Sequence, residues 1–130
     1  MHGFIQNIKQ RSELNTDFRR VLYTAKYSQL VLMLLKPGQE TGFDTHMQDQ
    51  FFRLEKGMGH VIMGGVTTEI YSGFGILVPA GANHNIINTG QIDMQLYIIY
   101  SPPNHLDGSV YHTSLQASAV SKHFDGQTTE

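Results

Sequence analysis

Two stretches of the chain, punctuated by glycine and proline, contain four residues with metal-binding donor atoms: Asp44, His46, Gln50 and His84. In an extended strand successive side chains point to opposite faces, so Asp44 and His46 would project the same way. Gln50 could rejoin them after a tight connection, and His84 begins an apolar run just after a turn. Histidine is the commonest protein ligand for a transition metal. The spacing therefore predicts one metal site.

Each of these four positions also has an ordinary structural interpretation when it is taken singly. Asp44 could be an exposed turn residue, His46 a surface histidine, and His84 a half-buried residue hydrogen-bonded to backbone. The metal hypothesis therefore depends on the four residues occurring together at this spacing.

Short strand-length segments must position these residues, because no long segment before residue 110 shows the helical period. Two segments rich in Val, Leu and Tyr, residues 20–26 and 29–36, predict a hairpin joined at residues 27–28. Six further segments lie between or beside glycines: 51–55, 60–63, 67–71, 76–78, 84–88 and 94–100. Many short strands and 13 glycines predict an all-β domain, a sandwich or barrel of antiparallel sheets.

The two ends of the chain lie outside this strand pattern. Residues 1–17 are mixed and polar, which predicts a short helix or an arm on the body of the domain. Successive prolines at 102 and 103 end the sheet, because proline cannot donate to a ladder. Residues 114–124 predict a helix capped by Ser114, with Leu115, Ala119 and Val120 facing the body. The last six residues are expected to be loose.

Composition and charge restrict the classes of partner and the compartment. A chain of 130 residues, 40% of them hydrophobic, predicts one domain spanning residues 1–130. A net charge of −2 and a pI near 6.4 predict no nucleic-acid or membrane partner. No segment has the pattern of a membrane span or a signal peptide, so we expect a cytoplasmic protein. The chain has no cysteine, so any metal would use nitrogen and oxygen ligands.

Strand alternation also predicts the residues of a substrate pocket near the metal. Phe52 and Leu54 share the Gln50 face, and Ile86 and Asn88 share the His84 face. On the last strand either Leu96, Ile98 and Tyr100 or Tyr97 and Ile99 point inward, and the pattern does not choose between the two sets. The predicted pocket residues are Phe52, Leu54, Ile86, Asn88, Tyr97 and Tyr100. Three histidines have no comparable spacing and are interpreted as surface or capping residues: His60, His105 and His112.

The two punctuated stretches resemble the paired motifs of the cupin superfamily, G-x5-H-x-H-x3,4-E-x6-G and G-x5-P-x-G-x2-H-x3-N. All five positions of the second motif match: Gly73, Pro79, Gly81, His84 and Asn88. Three positions of the first also match: Gly38, His46 and Gly57. Asp44 stands where the first histidine is expected, and Gln50 stands where the glutamate is expected. Residues 18–113 also resemble small single-domain bacterial cupins often labelled mannose-6-phosphate isomerase-like, through the segments DQFFR and IYSPP…H.DG.V.

This resemblance implies a double-stranded β-helix, which is a jelly-roll barrel with one divalent metal ion inside, and often a homodimer. The two departures from the motif conserve the ligand charge, because Asp44 supplies a carboxylate and Gln50 a neutral oxygen. Two histidines and one carboxylate with a weak fourth partner favour iron, manganese or nickel, with zinc or copper possible.

The leading functional hypothesis is a metal-dependent enzyme acting on a small organic molecule, of isomerase, lyase or dioxygenase type. Candidates for a general acid or base are Asp44, Tyr97 and Tyr100. The alternatives are a non-catalytic sensor that binds a small ligand or metal, and a structural barrel without metal. A homodimer is expected because the arm before Asp17 and the apolar hairpin at 20–36 would leave an edge that invites pairing.

Overall fold

The structure, a computed structural model, describes residues 1–119 and 122–130. The elements in these ranges are α1 (Ile8–Leu14), β1 (Arg19–Thr24), β2 (Gln29–Leu35), β3 (Asp49–Lys56), β4 (Met58–Met63), β5 (Val66–Tyr71), β6 (Gly75–Val78), β7 (His84–Ile87), β8 (Met94–Ser101), β9 (Val110–Tyr111) and α2 (Ser114–Ala119). The all-β prediction is confirmed, and the predicted strands agree with the observed ones to within two residues. No helix in the described ranges has the length and apolar character needed to cross a bilayer.

The strands form two antiparallel sheets that enclose the core. The larger sheet has the order β6-β3-β8-β2-β1-β9, and the smaller has the order β5-β4-β7. Apolar side chains from both sheets, such as Phe52 and Ile98 from the larger and Val61 and Ile86 from the smaller, form one buried cluster. This two-sheet barrel is the architecture that the motif resemblance implied.

The buried face of β8 is decided by its position in the larger sheet. Leu96, Ile98 and Tyr100 belong to the core cluster between the sheets. Tyr97 and Ile99 lie on the opposite face and are only half-buried. The structure therefore selects the first of the two inward sets and removes Tyr97 from the predicted pocket.

Strand β2 is apolar and buried on both of its faces from Val31 to Leu35. Val31 and Met33 face the core, whereas Leu32 and Leu34 are buried but lie outside that cluster. On the larger sheet α1 contacts β3 and β8, and its N-cap Asn7 accepts a 3.0 Å hydrogen bond from the Gln10 amide. The polar segment at 1–17 thus contains the predicted short helix, which contributes to burial of the larger sheet.

The C-terminal region differs from the prediction in three respects. The cap of α2 is Thr113, whose Oγ1 accepts from the Gln116 amide at 3.1 Å, and not Ser114. Leu115 is 76% exposed and Ala119 is also exposed, so Ala117 supplies the contact with the core; Val120 lies outside the described residues. Phe124 is not helical, because its amide donates to the Asn104 carbonyl.

The last residues are held against the sheet and are not loose. The Thr129 amide donates to the Thr24 carbonyl at 2.9 Å, and the Thr24 amide donates to Thr129 Oγ1 at 2.8 Å. Glu130 accepts from the Gly3 amide at 2.8 Å and from the Tyr23 hydroxyl. The β1–β2 hairpin is therefore covered by β9 and by this tail, so it is not the unprotected edge on which the dimer expectation relied.

Candidate metal and ligand site

Backbone pairing between the two motif stretches brings Asp44, His46 and His84 together. Residues 37–48 do not form a continuous strand, as the alternation argument assumed, but make isolated bridges to β7. The Asp44 amide donates to the His84 carbonyl at 3.0 Å, and the His84 amide donates to the Asp44 carbonyl at 3.1 Å. The Gly81 amide donates to the His46 carbonyl at 2.9 Å. Residues forty positions apart are thus joined directly by hydrogen bonds.

Four motif glycines allow these turns to form. Gly38, Gly57, Gly73 and Gly81 all have positive φ, between 82° and 99°. A side chain at such a position would clash with the following carbonyl, so glycine is strongly favoured there. The glycine spacing that produced the resemblance therefore has a backbone cause.

His46 and His84 form the central pair of the site. Their ring centroids are 5.8 Å apart. His84 is 3% exposed, its Nδ1 lies 3.0 Å from the Ala82 carbonyl oxygen, and Phe52 packs edge-on against its ring. A carbonyl can only accept, so Nδ1 carries the proton and Nε2 keeps its lone pair for a ligand.

His46 is half-buried and neutral at neutral pH. Burial is the largest effect on the pKa of His46 and lowers it, and the neighbouring His84 and Arg19 lower it further. The Asp44 carboxylate raises the pKa of His46, because its Oδ2 lies 3.4 Å from His46 Nε2, but this effect is smaller than that of burial. A neutral imidazole is the form that binds metal ions.

Asp44 lies at the entrance of the site and not within it. Its side chain is 62% exposed, and its Oδ1 accepts from the Thr45 amide at 2.7 Å. This position agrees with the exposed-turn interpretation while leaving the carboxylate beside His46. Within the part of the chain that the structure describes, no three His, Asp or Glu side chains come together closely enough to hold one ion.

Gln50 is buried on β3 with its amide nitrogen unsatisfied. It is 1% exposed, and its register partners are Val78 on β6 and Tyr100 on β8. Its Nε2 has no hydrogen-bond partner in the described ranges. Buried polar atoms are normally paired, so this amide is available to a ligand.

A cavity of about 690 Å³ opens beside His46, between the segment at 40–46 and the end of the larger sheet. Its lining includes Phe18, Arg19, Glu40, Asp44, His46, Asn104, His105, Tyr111 and residues of α2. This volume is in the usual range for small-molecule sites.

The predicted pocket residues do not line this cavity. Leu54 and Ile86 are completely buried in the core. Asn88 is structural: its Nδ2 donates to the Leu35 and Ile92 carbonyls, and its Oδ1 accepts from the Gly90 amide. Strand alternation correctly indicates an interior face, but an interior position in a barrel is usually core and not pocket.

His105 is the site residue that sequence reasoning missed. It was interpreted as a surface or capping residue, but it is 7% exposed and lines the cavity. Burial, followed by the positive charge of Arg19, lowers the pKa of His105 to about 3. The segment IYSPP…H.DG.V, which carried part of the resemblance, contains His105 and was the signal that could have identified it.

Tyr100 connects His105 with the histidine pair. Its ring packs edge-on against His105, with centroids 4.9 Å apart, and its centroid lies 6.1 Å from that of His46. Burial raises the pKa of Tyr100 to about 12. The phenol is therefore protonated at neutral pH, a form that can donate a hydrogen bond but cannot act as a general base.

Comparison with known proteins agrees with this geometry. A family model described as a cupin domain matches residues 31–100. The uncharacterized protein YrkC of Bacillus subtilis is 42% identical over 124 residues, which are 90% of this chain and 67% of that protein. The crystal structure of BH2720 from Bacillus halodurans superposes with a TM-score of 0.90 at 38% identity, covering 92% of this chain and 96% of that one. A predicted oxalate decarboxylase from Thermotoga maritima shares the fold, with a TM-score of 0.57 at 24% identity over 59% of this chain and 68% of that one. The chain therefore belongs to the cupin family.

Proposed function

We propose that this cupin binds one divalent transition-metal ion through His46 and His84, with Asp44 and Gln50 as the remaining ligands, and acts as an enzyme on a small organic molecule. The observation that carries the proposal is the imidazole pair, whose ring centroids are 5.8 Å apart beside a cavity. Isomerisation, lyase chemistry and oxygenation are the reaction types open to such a site.

The donor types of the four residues suit a divalent ion, and Asp44 would complete the set by turning inward from its exposed position at the entrance. His84 directs a lone pair away from the Ala82 carbonyl, and the lowered pKa of His46 keeps its ring neutral. Asp44 offers one negative charge 3.4 Å from His46, and Gln50, buried on β3, offers its amide oxygen. The unpaired Nε2 of Gln50 is a hydrogen-bond donor for a bound molecule and not a metal ligand. Nitrogen and oxygen donors of this kind suit iron, manganese or nickel, and zinc and copper also accept them.

The residues of the chain divide the chemical tasks between them. When bound, a divalent ion supplies a Lewis acid that polarises a carbonyl or hydroxyl oxygen of the ligand. Tyr100 holds its proton, because burial raises its pKa to about 12, and it orients neighbouring rings. If Asp44 is not a ligand of the ion, it is the candidate for exchanging a proton with solvent, since its carboxylate is exposed at the entrance.

The metal proposal is tested by the metal content of His46→Ala and His84→Ala after dialysis. Each substitution is expected to weaken binding by at least roughly 10–100-fold, the loss that follows removal of a ligand's supporting partner alone. His60→Ala, on β4, is the control and should keep the metal of the unmodified protein. Full occupancy in both site variants would contradict the proposal. Because the ion binds only the folded state, the two variants should also lose its contribution to thermal stability.

Catalysis is tested separately, by a turnover screen of sugar phosphates, keto acids and aromatic diols with the metal-loaded protein. Turnover that is lost in His46→Ala supports the enzyme. Metal binding without turnover would instead support the sensor module. The homodimer and the cytoplasmic location stay predictions.

A further inference from the structure

Three buried polar atoms without partners belong to residues that line one cavity. They are Arg19 Nε, His105 Nε2 and the Tyr111 hydroxyl, and none has a hydrogen-bond partner among residues 1–119 and 122–130. His105 and Tyr111 are each only 7% exposed. Buried polar atoms are normally hydrogen-bonded, so three unsatisfied ones beside one cavity indicate a ligand that satisfies them.

Strand pairing places two of these side chains on one face. Arg19 and Tyr111 are directly opposite each other in the antiparallel β1–β9 pair. Directly opposed side chains in such a pair project together, so both can reach the same group. The guanidinium carbon of Arg19 also lies 5.4 Å from the centroid of the Phe18 ring, which orients the guanidinium at the cavity wall.

The charge of this group indicates the class of ligand. Arg20 is paired with Asp17 at 2.8 Å and Arg53 with Glu55 at 3.4 Å, whereas Arg19 has no carboxylate partner in the described part of the chain. His105 is neutral at neutral pH, because burial lowers its pKa to about 3, and the Tyr111 hydroxyl adds a hydrogen-bond donor. Glu40, Asp44 and Lys122 also line the cavity, so with Arg19 the formal charges of its Lys, Arg, Asp and Glu residues sum to zero. A single negative charge disturbs this balance less than a dianion such as a phosphate monoester. Among the three unsatisfied groups, Arg19 is the permanent positive charge, and it matches one negative charge of a ligand.

We propose that Arg19, Tyr111 and His105 form a subsite that binds the carboxylate of a small organic acid. The planar guanidinium matches the two oxygens of a carboxylate, and the Tyr111 hydroxyl and the His105 ring N–H donate further hydrogen bonds. The rest of the acid extends toward His46, which lines the same cavity. This subsite deepens the proposed function and rests on it in one respect. The end of the acid that does not bind Arg19 would lie beside the proposed metal ligands.

The test compares acids with their neutral amides. Lactate with lactamide and benzoate with benzamide are titrated into the protein by ligand-observed NMR, with and without a metal chelator. Both acids are expected to bind more tightly than their amides, and inorganic phosphate is expected not to compete. Failure of both acids to bind, equal binding of the amides, or competition by phosphate in preference to the acids would overturn the subsite.

Variants then assign the binding to Arg19. Arg19→Gln is expected to weaken acid binding by about tenfold or more, and Tyr111→Phe, which removes only a hydroxyl, by about threefold to tenfold. Arg11→Gln makes the same charge change on α1, away from the cavity, and should bind like the unmodified protein. Thermal melting shows that each variant is folded. Unchanged affinity in both Arg19→Gln and Tyr111→Phe would overturn the subsite.

The chelator arm separates this inference from the metal proposal. Acid binding that survives the chelator and is lost in Arg19→Gln supports the subsite even in a protein that holds no metal. The opposite result is that the chelator abolishes acid binding while the Arg19→Gln variant still binds the acid. The acid would then bind the metal, so the subsite would be wrong while the metal proposal stood.

Discussion

At the residue scale, Gln50 is the position where this chain departs from the family motif inside the barrel. It is 1% exposed, and its Nε2 is unpaired among the described residues. If Gln50 is a ligand, Gln50→Glu adds a second anionic oxygen and should tighten metal binding while making the ion a weaker Lewis acid. Without metal the same change buries an unpaired carboxylate and should cost about 1–3 kcal/mol of folding stability.

The deciding measurement is the melting temperature of Gln50→Glu and of the unmodified protein, each with metal and with chelator. The variant is expected to be more stable than the unmodified protein with metal and less stable with chelator. Gln91→Glu makes the same chemical change on an exposed loop and serves as the control. An equal loss of stability in both conditions would exclude the ligand role.

His105 supports a prediction about pH at the same scale. Its folded-state pKa of about 3 lies below the ordinary value of 6.5, because burial and Arg19 disfavour the charged ring. Below the ordinary pKa the unfolded state binds more protons, so the contribution of neutral His105 to stability is complete above 6.5 and is lost as the pH falls toward 3. The imidazole proton signals of His105 should therefore stay constant from about pH 8 to about pH 5. A titration midpoint inside that range would show that the ring is hydrated and not buried.

At the element scale, the segment at 127–130 stabilises the end of β1. Thr129 Oγ1 accepts from the Thr24 amide and donates to Asp107 Oδ1, both at 2.8 Å. Thr129→Val keeps the size of the side chain and removes both bonds, so it should lower the free energy of unfolding by about 1–2 kcal/mol. The measurement is the urea midpoint at constant slope.

The matched control for this prediction is Thr67→Val, because the Thr67 side chain is exposed on β5. It should leave the urea midpoint within about 0.5 kcal/mol of the unmodified value, as surface substitutions generally do. Equal midpoints for Thr129→Val and the unmodified protein would mean that the segment is detached in solution.

At the scale of the whole molecule, the sheet edges that could pair with a second chain are not on the β1–β2 hairpin, where the sequence predicted one. The β1–β2 hairpin lies inside the larger sheet, whereas β5 ends the smaller sheet and β6 ends the larger one. Five of the six β5 residues are exposed, and Leu77 on β6 is 64% exposed. Open edges of this kind invite pairing with a second chain, so the homodimer stays a prediction with a different surface.

Sedimentation equilibrium near micromolar concentration should give twice the chain mass of 14.6 kDa. Val66 and Met63 flank a two-residue turn, so the N–H groups of Val66 and Thr68 face β4 and that of Glu69 faces the open edge. Replacing Glu69 with proline therefore removes one edge donor and should favour the monomer if this edge forms the interface. A single-chain mass for the unmodified protein would contradict the homodimer.

The sequence by itself determined the strands and their turns. Runs of Val, Ile and Leu favour strands locally, and glycines at positive φ are required wherever the turns are tight, so both signals can be read without the fold. The spacing of the two motif stretches also singled out His46 and His84, whose rings lie near each other in the structure. The contacts of α1 and of the last residues could not be predicted from the sequence, because polar segments carry little periodic signal.

Only the tertiary structure decided which face of β8 is inside and which residues form the cavity. Arg19 and Tyr111 meet because β9 pairs with β1, and His105 joins them from a loop after the prolines. No local pattern connects positions so far apart in the chain. Likewise, an alternating strand gives two faces, but the packing of the second sheet decides which one becomes core. The physical reason is that burial is a property of the assembled sheets, whereas propensity is a property of neighbouring residues.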